Sequence, residues 1–270
     1  MKGQFTFNDQ TYYEMPVHFR NRPYTRGYSV VYRDNLTLGM KQKTDMEALA
    51  RYIPDCFELL RGEISWSYTN CRQVDFMRNG EYRIFSVSAP VSFTTHDGKT
   101  LVGGYPLVIF EDRFEPVVGG REACGMPKLL CEISTDHHVG SHWFAHVASA
   151  CCPMLEMNFF EERKLPDEAV AASIPEEPGN SFGYRCMPAV ESGGVDYAQV
   201  IRYPQRGVPR ELWSGTGNVK IYLPEPEHWY VNTYYKILAS LAELPNEGFF
   251  GAYRSVGALE LYCNGVEDLK

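Results

Sequence analysis

Two long runs of β-branched and aromatic residues constrain this chain more than any other feature. Tyr82 to Phe93 (YRIFSVSAPVSF) and Leu101 to Phe110 flank Thr94-Thr95-His96-Asp97-Gly98-Lys99, whose Asp-Gly pair signals a turn. Together they are expected to form a hairpin. Further strands are expected near 129–134, 142–150, 195–203, 217–223 and 256–263. Helical text is scarcer. Thr44 to Ile53 reads as a helix, with Thr44 as N-cap, Glu47 completing a capping box, Met46, Leu49, Ala50 and Ile53 at helical spacing, and Pro54 as the stop. A second helix is expected over Tyr234 to Leu244, ahead of Pro245. With no internal repeat, low-complexity tract or linker, the pattern is that of an α+β protein, mainly antiparallel β with two or three helices. The first 35 or so residues, rich in Tyr, Arg and Asn, show no clean period. Such a segment packs across a neighbouring surface or subunit, or stays mobile.

Length and charge narrow the classes further. The 270 residues are 44% hydrophobic and 22% charged, the balance of a folded chain with a sizeable core. A net charge of −8 argues against nucleic acid and acidic membrane surfaces as partners. No apolar stretch approaches the roughly 20 residues needed to span a bilayer, and the first residues lack the apolar region of a secretory signal, so a cytoplasmic location is expected. The eight cysteines contain no C-x-x-C pair. They are expected to be reduced, and mostly buried as small hydrophobes.

The stretch richest in chemistry is Gly119-Gly120-Arg121-Glu122-Ala123-Cys124-Gly125-Met126-Pro127-Lys128-Leu129. Pro127 biases its neighbour to an extended backbone. If the whole segment is extended, Glu122, Cys124, Met126 and Lys128 share one face and Leu129 takes the other. A lysine at its ordinary pKa near 10.4 holds only about 0.04% neutral amine at pH 7, so imine chemistry asks for surroundings that strip its solvation. Met126 and Cys124 are candidates for such surroundings. The alternative is a strand-end lysine whose ammonium reaches water. Arg121 and Glu122 read most simply as a structural ion pair.

Gly120-Arg121-Glu122 followed by Met126-Pro127-Lys128 resembles the Schiff-base motif of the acetoacetate decarboxylase family, whose founding enzyme is the type example of an activated lysine. Other segments resemble the family in the same order: Lys43 to Leu49 with Ile53-Pro54, Ala89 to Phe93, Trp213-Ser214-Gly215 before Val219-Lys220-Ile221, and Glu243-Leu244-Pro245. The resemblance covers roughly residues 36–270, read as one domain behind an N-terminal arm of residues 1–35. It implies a central cone-like or barrel-like sheet with a few flanking helices, a homo-oligomer, and a Schiff-base lyase acting through Lys128 on a small 2-oxo or 3-oxo acid or related ketone. No organic cofactor is implied, because the imine itself is the electron sink.

Departures from the family pattern qualify the substrate. Where the typical decarboxylase has a second lysine, this chain has Leu129. The family's pocket glutamate falls on Ile84, and its pocket arginine falls near Asn35, with Arg33 close by. A pocket without that carboxylate suits acetoacetate poorly. Relatives that act as pyruvate aldolase-dehydratases or cyclases line their pocket with the residue four before the lysine and with a tyrosine near the C-terminal strand. Those positions match Cys124 and Tyr253, and Tyr253 is a candidate general acid or base. The candidate site therefore comprises Lys128 and Tyr253 for catalysis, and Cys124, Met126, Glu122, Arg121 and Ile84 for substrate contact.

Two rival readings come from other classes. A chain that kept the fold and lost the chemistry would be a non-catalytic ligand-binding or scaffold protein. His138, His142 and His146, with His137 beside them, would share one helix face and suit zinc. Val139-Gly140-Ser141 interrupts any such helix, and on a strand ligands four apart lie about 13 Å from each other, too far for one ion. A polar sheet face or a subunit contact is the expectation there, with no metal.

Overall fold

The computed structural model describes residues 1–23, 29–225 and 234–269. Residues 24–28 of the expected arm lie outside the described residues. The arm contributes a small hairpin, β1 (Thr11–Tyr13) with β2 (Asn21–Pro23). The remaining strands join one large sheet: β3 (Val30–Lys43), β4 (Glu58–Leu59), β5 (Glu63–Val74), β6 (Gly80–Thr94), β7 (Thr100–Glu111), β8 (Lys128–Leu130), β9 (Glu132–Ile133), β10 (His137–Val139), β11 (His142–Ser149), β12 (Cys152–Lys164), β13 (Gly179–Pro188), β14 (Val195–Ile221), β15 (Phe249–Leu261) and β16 (Glu267–Leu269). Strand β3 starts at Val30, inside the stretch read as an arm.

The order β14-β13-β7-β6-β5-β3-β15 closes on itself through pairing of β14 with β15, giving a ring of strands that is not a regular barrel. Nearly all its pairings are antiparallel. The expected hairpin is β6 with β7, joined through Thr95 to Lys99, where Gly98 takes a positive φ of 82°. Strand β14 replaces two strands expected over 195–203 and 217–223. Its first part pairs with β13, its middle with β15 and its last part with β12, bending at an irregularity after Pro209. Gly207, Pro209, Gly215 and Gly217 read as breaks in sequence, yet Pro209 sits where the ladder slips and tolerates a missing N–H.

Period-2 alternation splits every ring strand into two faces. The outer residues Leu36, Leu38, Trp66, Tyr68, Phe85, Val87, Val108 and Phe110 are buried. They pack on a second layer made by β11 and β12, through Val147, Leu155, Met157 and Phe159, and on Leu238 and Leu241 of helix α4 (Tyr235–Glu243). The inner residues, many of them polar, face the interior of the ring.

The remaining helices are α1 (Met46–Ala50), α2 (Phe114–Cys124) and α3 (Asp167–Ala172). Helix α1 is shorter than expected, and its N-cap is Asp45, whose carboxylate accepts from the Ala48 N–H at 2.7 Å, whereas Thr44 is buried one residue earlier. Helix α2 is the main correction. The stretch expected to be extended from Glu122 to Lys128 is helical to Cys124, so Glu122, Cys124 and Lys128 do not share a strand face. Pro116 in the first turn and Gly125 after the last, at φ 61°, are the start and stop signals that the Gly119-Gly120 pair masked. A Cβ on Gly125 would lie 2.3 Å from the Arg185 nitrogen, so a side chain has no room there.

Among the described residues no helix is long and apolar enough to cross a membrane. Among the described residues no disulfide joins any of the eight cysteines, and burial is less general than expected: Cys71 and Cys131 are buried, whereas Cys56, Cys151 and Cys186 are exposed.

Candidate active site

The interior of the ring is a cavity of about 540 Å³. Lys128 reaches it from the start of β8, which lies parallel to the end of β7 with Lys128 opposite Ile109 and Leu130 opposite Glu111. The β7–α2–β8 connection thus places Lys128 and Glu111, seventeen residues apart in sequence, at one wall. Their side chains meet as an ion pair, Nζ to Oε1 2.7 Å, with 9% and 0% of the side chains accessible. Nζ also donates to the Pro116 carbonyl at 3.1 Å, and the lysine stem lies on Gly120, where a Cβ would come within 2.6 Å of Cε. Gly120 is therefore the packing surface for the lysine, a function of the Gly-Arg-Glu sequence that the extended reading missed.

Glu111 is the residue that sequence reasoning did not select. The expected strand ends at Phe110, one residue before it. In the structure Glu111 takes the inward position two after Ile109, while Val108 and Phe110 face the outer core. Burial pushes its carboxyl pKa up, and the nearby Lys128 charge opposes that rise. Its position also bears on the absent pocket glutamate. Ile84, where the resemblance puts that carboxylate, is the direct cross-strand partner of Glu111 in the β6–β7 ladder. The carboxylate of this chain stands one strand over.

Three buried phenols surround the pair. Tyr82 donates to the Tyr32 hydroxyl at 3.2 Å, and both line the cavity, as does Tyr203. Burial raises the pKa of each above the ordinary phenol value, and Glu111 adds to the rise. At neutral pH all three keep their protons and act as donors. Beyond them the wall is hydroxylated: Thr37 and Thr69 share a hydrogen bond at 3.1 Å, Ser67 and Ser86 one at 2.8 Å. The alternation of serine with large apolar residues in SWSYT and FSVSA is the sequence signal for this inner face.

The remaining predicted site residues divide. Met126 and Ile84 line the cavity beside Lys128. Tyr253 lines it from β15, on the register row Tyr253–Gly39–Ser67–Ser86–Ile109–Lys128, and its ring rests on Gly39. The residue is 37% accessible, and burial raises its phenol pKa. Three others do not line the cavity. Cys124 packs behind Met126, with its thiol pKa pushed up to about 11, chiefly by burial. Arg121 donates to the Lys128 carbonyl at 2.9 Å and fixes the β8 backbone. Glu122 accepts from the Met15 N–H at 3.2 Å, which ties the arm to α2. Arg121 and Glu122 therefore have separate partners rather than pairing with each other.

Asn35 lines the cavity with a buried Oδ1 that has no hydrogen-bond partner, whereas Arg33 turns away to pair with Asp75. The histidines occupy the β10–β11 hairpin. His138 stacks on Trp143, His142 stacks on Phe160 with Nε2 2.8 Å from the Asn158 amide oxygen, and His137 lies opposite Phe144. No group of three or more ligating side chains is close enough to share a metal ion among the described residues.

The family model described as acetoacetate decarboxylase (ADC) matches residues 14–244. The chain is similar to acetoacetate decarboxylase 1 of Bradyrhizobium diazoefficiens, 26% identical over 185 residues, covering 67% of this chain and 68% of that protein. It is also similar to an acetoacetate decarboxylase of Paraburkholderia phytofirmans, 27% identical over 208 residues, covering 75% and 72%. Among solved structures it resembles the acetoacetate decarboxylase of Legionella pneumophila, with a TM-score of 0.72, 17% identity and coverage of 92% and 91%. The enduracididine biosynthesis enzyme MppR complexed with pyruvate shares the fold at a TM-score of 0.65, 13% identity and coverage of 92% of each chain. MppR has also been solved with the condensation product of pyruvate and imidazole 4-carboxaldehyde.

Proposed function

The chain belongs to the acetoacetate decarboxylase family, and on that premise we propose that it is a Schiff-base lyase in which Lys128 forms the imine and Glu111 moves the proton. The family includes decarboxylases and aldolase-type enzymes. The observation that carries the reading is the buried contact of 2.7 Å between Nζ and a carboxylate whose pKa burial raises. Passing one Nζ proton to that carboxylate, 2.7 Å away, would free the amine lone pair for attack. The amine attacks a ketone or oxo-acid carbonyl, water leaves, and the protonated imine draws electrons from the adjacent C–C or C–H bond. The resulting enamine is protonated or adds to an aldehyde, and hydrolysis frees Lys128. Tyr32, whose hydroxyl accepts from Tyr82 and keeps its own proton to donate, would polarise the carbonyl oxygen. Tyr253, across the cavity, would contact the second reactant or the far end of a larger one. The chemistry draws on the chain's own groups and needs no cofactor. We further propose that the protein acts in the cytoplasm as a homo-oligomer, with the aromatic arm tied at Glu122 as part of the contact.

The test is deuterium exchange from D₂O into the α-positions of a panel of 2-oxo acids, 3-oxo acids and neutral ketones, followed by NMR. Exchange or cleavage of at least one compound is expected, lost in Lys128→Ala and strongly slowed in Glu111→Gln. Turnover that survives Lys128→Ala overturns the mechanism. No reaction with any compound would put the non-catalytic binding reading ahead.

A further inference from the structure

The charge on the cavity wall discriminates between substrates. Among the described lining residues Lys128 is the one cation and Glu111 the one anion, and they are already paired. The ring strands are not short of arginine, but the alternation of the sheet turns those side chains outward. Arg83 falls between the inward Tyr82 and Ile84 and pairs with Asp112 at 3.0 Å. Arg254 falls between Tyr253 and Ser255, pairs with Glu161 and lies over the Trp213 ring. Arg206 falls between Gln205 and Gly207. The inner face instead offers hydroxyls, phenols and amides.

From these observations we infer that the substrate at Lys128 is a neutral, hydroxyl-bearing ketone rather than an oxo acid. The inference rests on the Schiff-base reading and names its substrate class. With a neutral ketone the site stays neutral at each step. The lysine ammonium and the ketone give an iminium and one water, while Glu111 remains a carboxylate. Glu111 then removes the α-proton, leaving a neutral enamine and a carboxylic acid. The enamine carbon bonds to the carbonyl carbon of an aldehyde, whose oxygen takes the proton from Glu111. Water then hydrolyses the iminium to release the product and restore the ammonium. No carbon dioxide is lost and nothing is oxidised or reduced. An oxo acid would instead carry an extra negative charge into the ring, where Glu111 already holds the only cation, and a buried unpaired charge is strongly disfavoured. A substrate hydroxyl, by contrast, exchanges hydrogen bonds with the threonine, serine and tyrosine hydroxyls that line the ring.

Borohydride trapping of the full chain in an equimolar mixture of pyruvate, acetoacetate, hydroxyacetone and dihydroxyacetone tests this, because the mass of the reduced adduct identifies the compound. The hydroxyketone adducts are expected to exceed the oxo-acid adducts by about tenfold or more, the factor that one uncompensated charge implies. Asn35→Arg, which places a cation on the wall, is expected to move the preference toward pyruvate or acetoacetate. Predominant oxo-acid adducts in the wild-type protein overturn the substrate inference and leave the Schiff-base reading standing. The absence of any adduct overturns both.

Discussion

Gly120→Ala separates the position of the lysine from the stability of the fold. A methyl at this site would sit 2.6 Å from Lys128 Cε, 2.7 Å from Cδ and 2.9 Å from Nζ. Carbon atoms rest comfortably at about 3.5–4.0 Å, so the lysine stem must retreat by roughly 1 Å. Nζ holds two contacts, 2.7 Å to Glu111 and 3.1 Å to the Pro116 carbonyl, and a displacement of that size breaks the geometry of both. The fold should barely respond. Alanine in a helix interior gains about 0.8–1.0 kcal/mol over glycine, which offsets much of the roughly 1–3 kcal/mol of overpacking against a flexible side chain. Misplacement of a reacting group by about 1 Å costs on the order of 100-fold in rate. The expected result is a melting temperature within a few degrees of wild type and imine trapping slowed by about two orders of magnitude. Trapping at the wild-type rate in a folded Gly120→Ala protein would refute the placement of Lys128 against α2.

Other expectations follow from the same geometry. Because burial raises the Glu111 carboxyl, the native state keeps a proton that the unfolded chain releases; its contribution to stability is full below the ordinary glutamate value of about 4.3 and declines as pH rises through the raised one. Urea midpoints measured between pH 4 and 8 should show this decline in the wild type and lose it in Glu111→Gln, and identical profiles would argue against a titrating buried carboxyl. Gly183→Ala should fail to fold or lose several kcal/mol in denaturant titration, since its Cβ would lie 1.8 Å from the Cys124 carbonyl oxygen, a backbone atom with nowhere to go. Cys124, with its thiol held up at about 11, should resist iodoacetamide at pH 8 while the exposed Cys186 reacts. Rapid alkylation of Cys124 would contradict its packing behind Met126.

The sequence made the strands legible where period and turn agreed. The β6–β7 hairpin, β11 and α4 are visible from alternation, an Asp-Gly turn and an amphipathic run, because those signals are local. Lys128 was legible for a different reason: Gly-Met-Pro-Lys is a compact motif. Glu111 was not. Its role depends on β8 lying parallel to β7 after a helical crossover, a contact between residues distant in sequence that no local pattern encodes. The segment 119–125 misled because two glycines and a following proline argue against a helix, while tertiary packing against Lys128 requires glycine within one. Cys124 and Glu122 were grouped with the lysine on that extended reading, and Arg121 by its place in the motif. The helix sends Arg121 to the β8 backbone and Glu122 to the arm.

The proposed reaction depends on the chemistry of one nitrogen, Nζ of Lys128. Reduction with borohydride in the presence of a reactive ketone, followed by proteolysis and peptide mass spectrometry, should place a single adduct on the peptide that carries Lys128 and none in Lys128→Ala. An adduct on another lysine, or equal labelling of the Lys128→Ala protein, would contradict it.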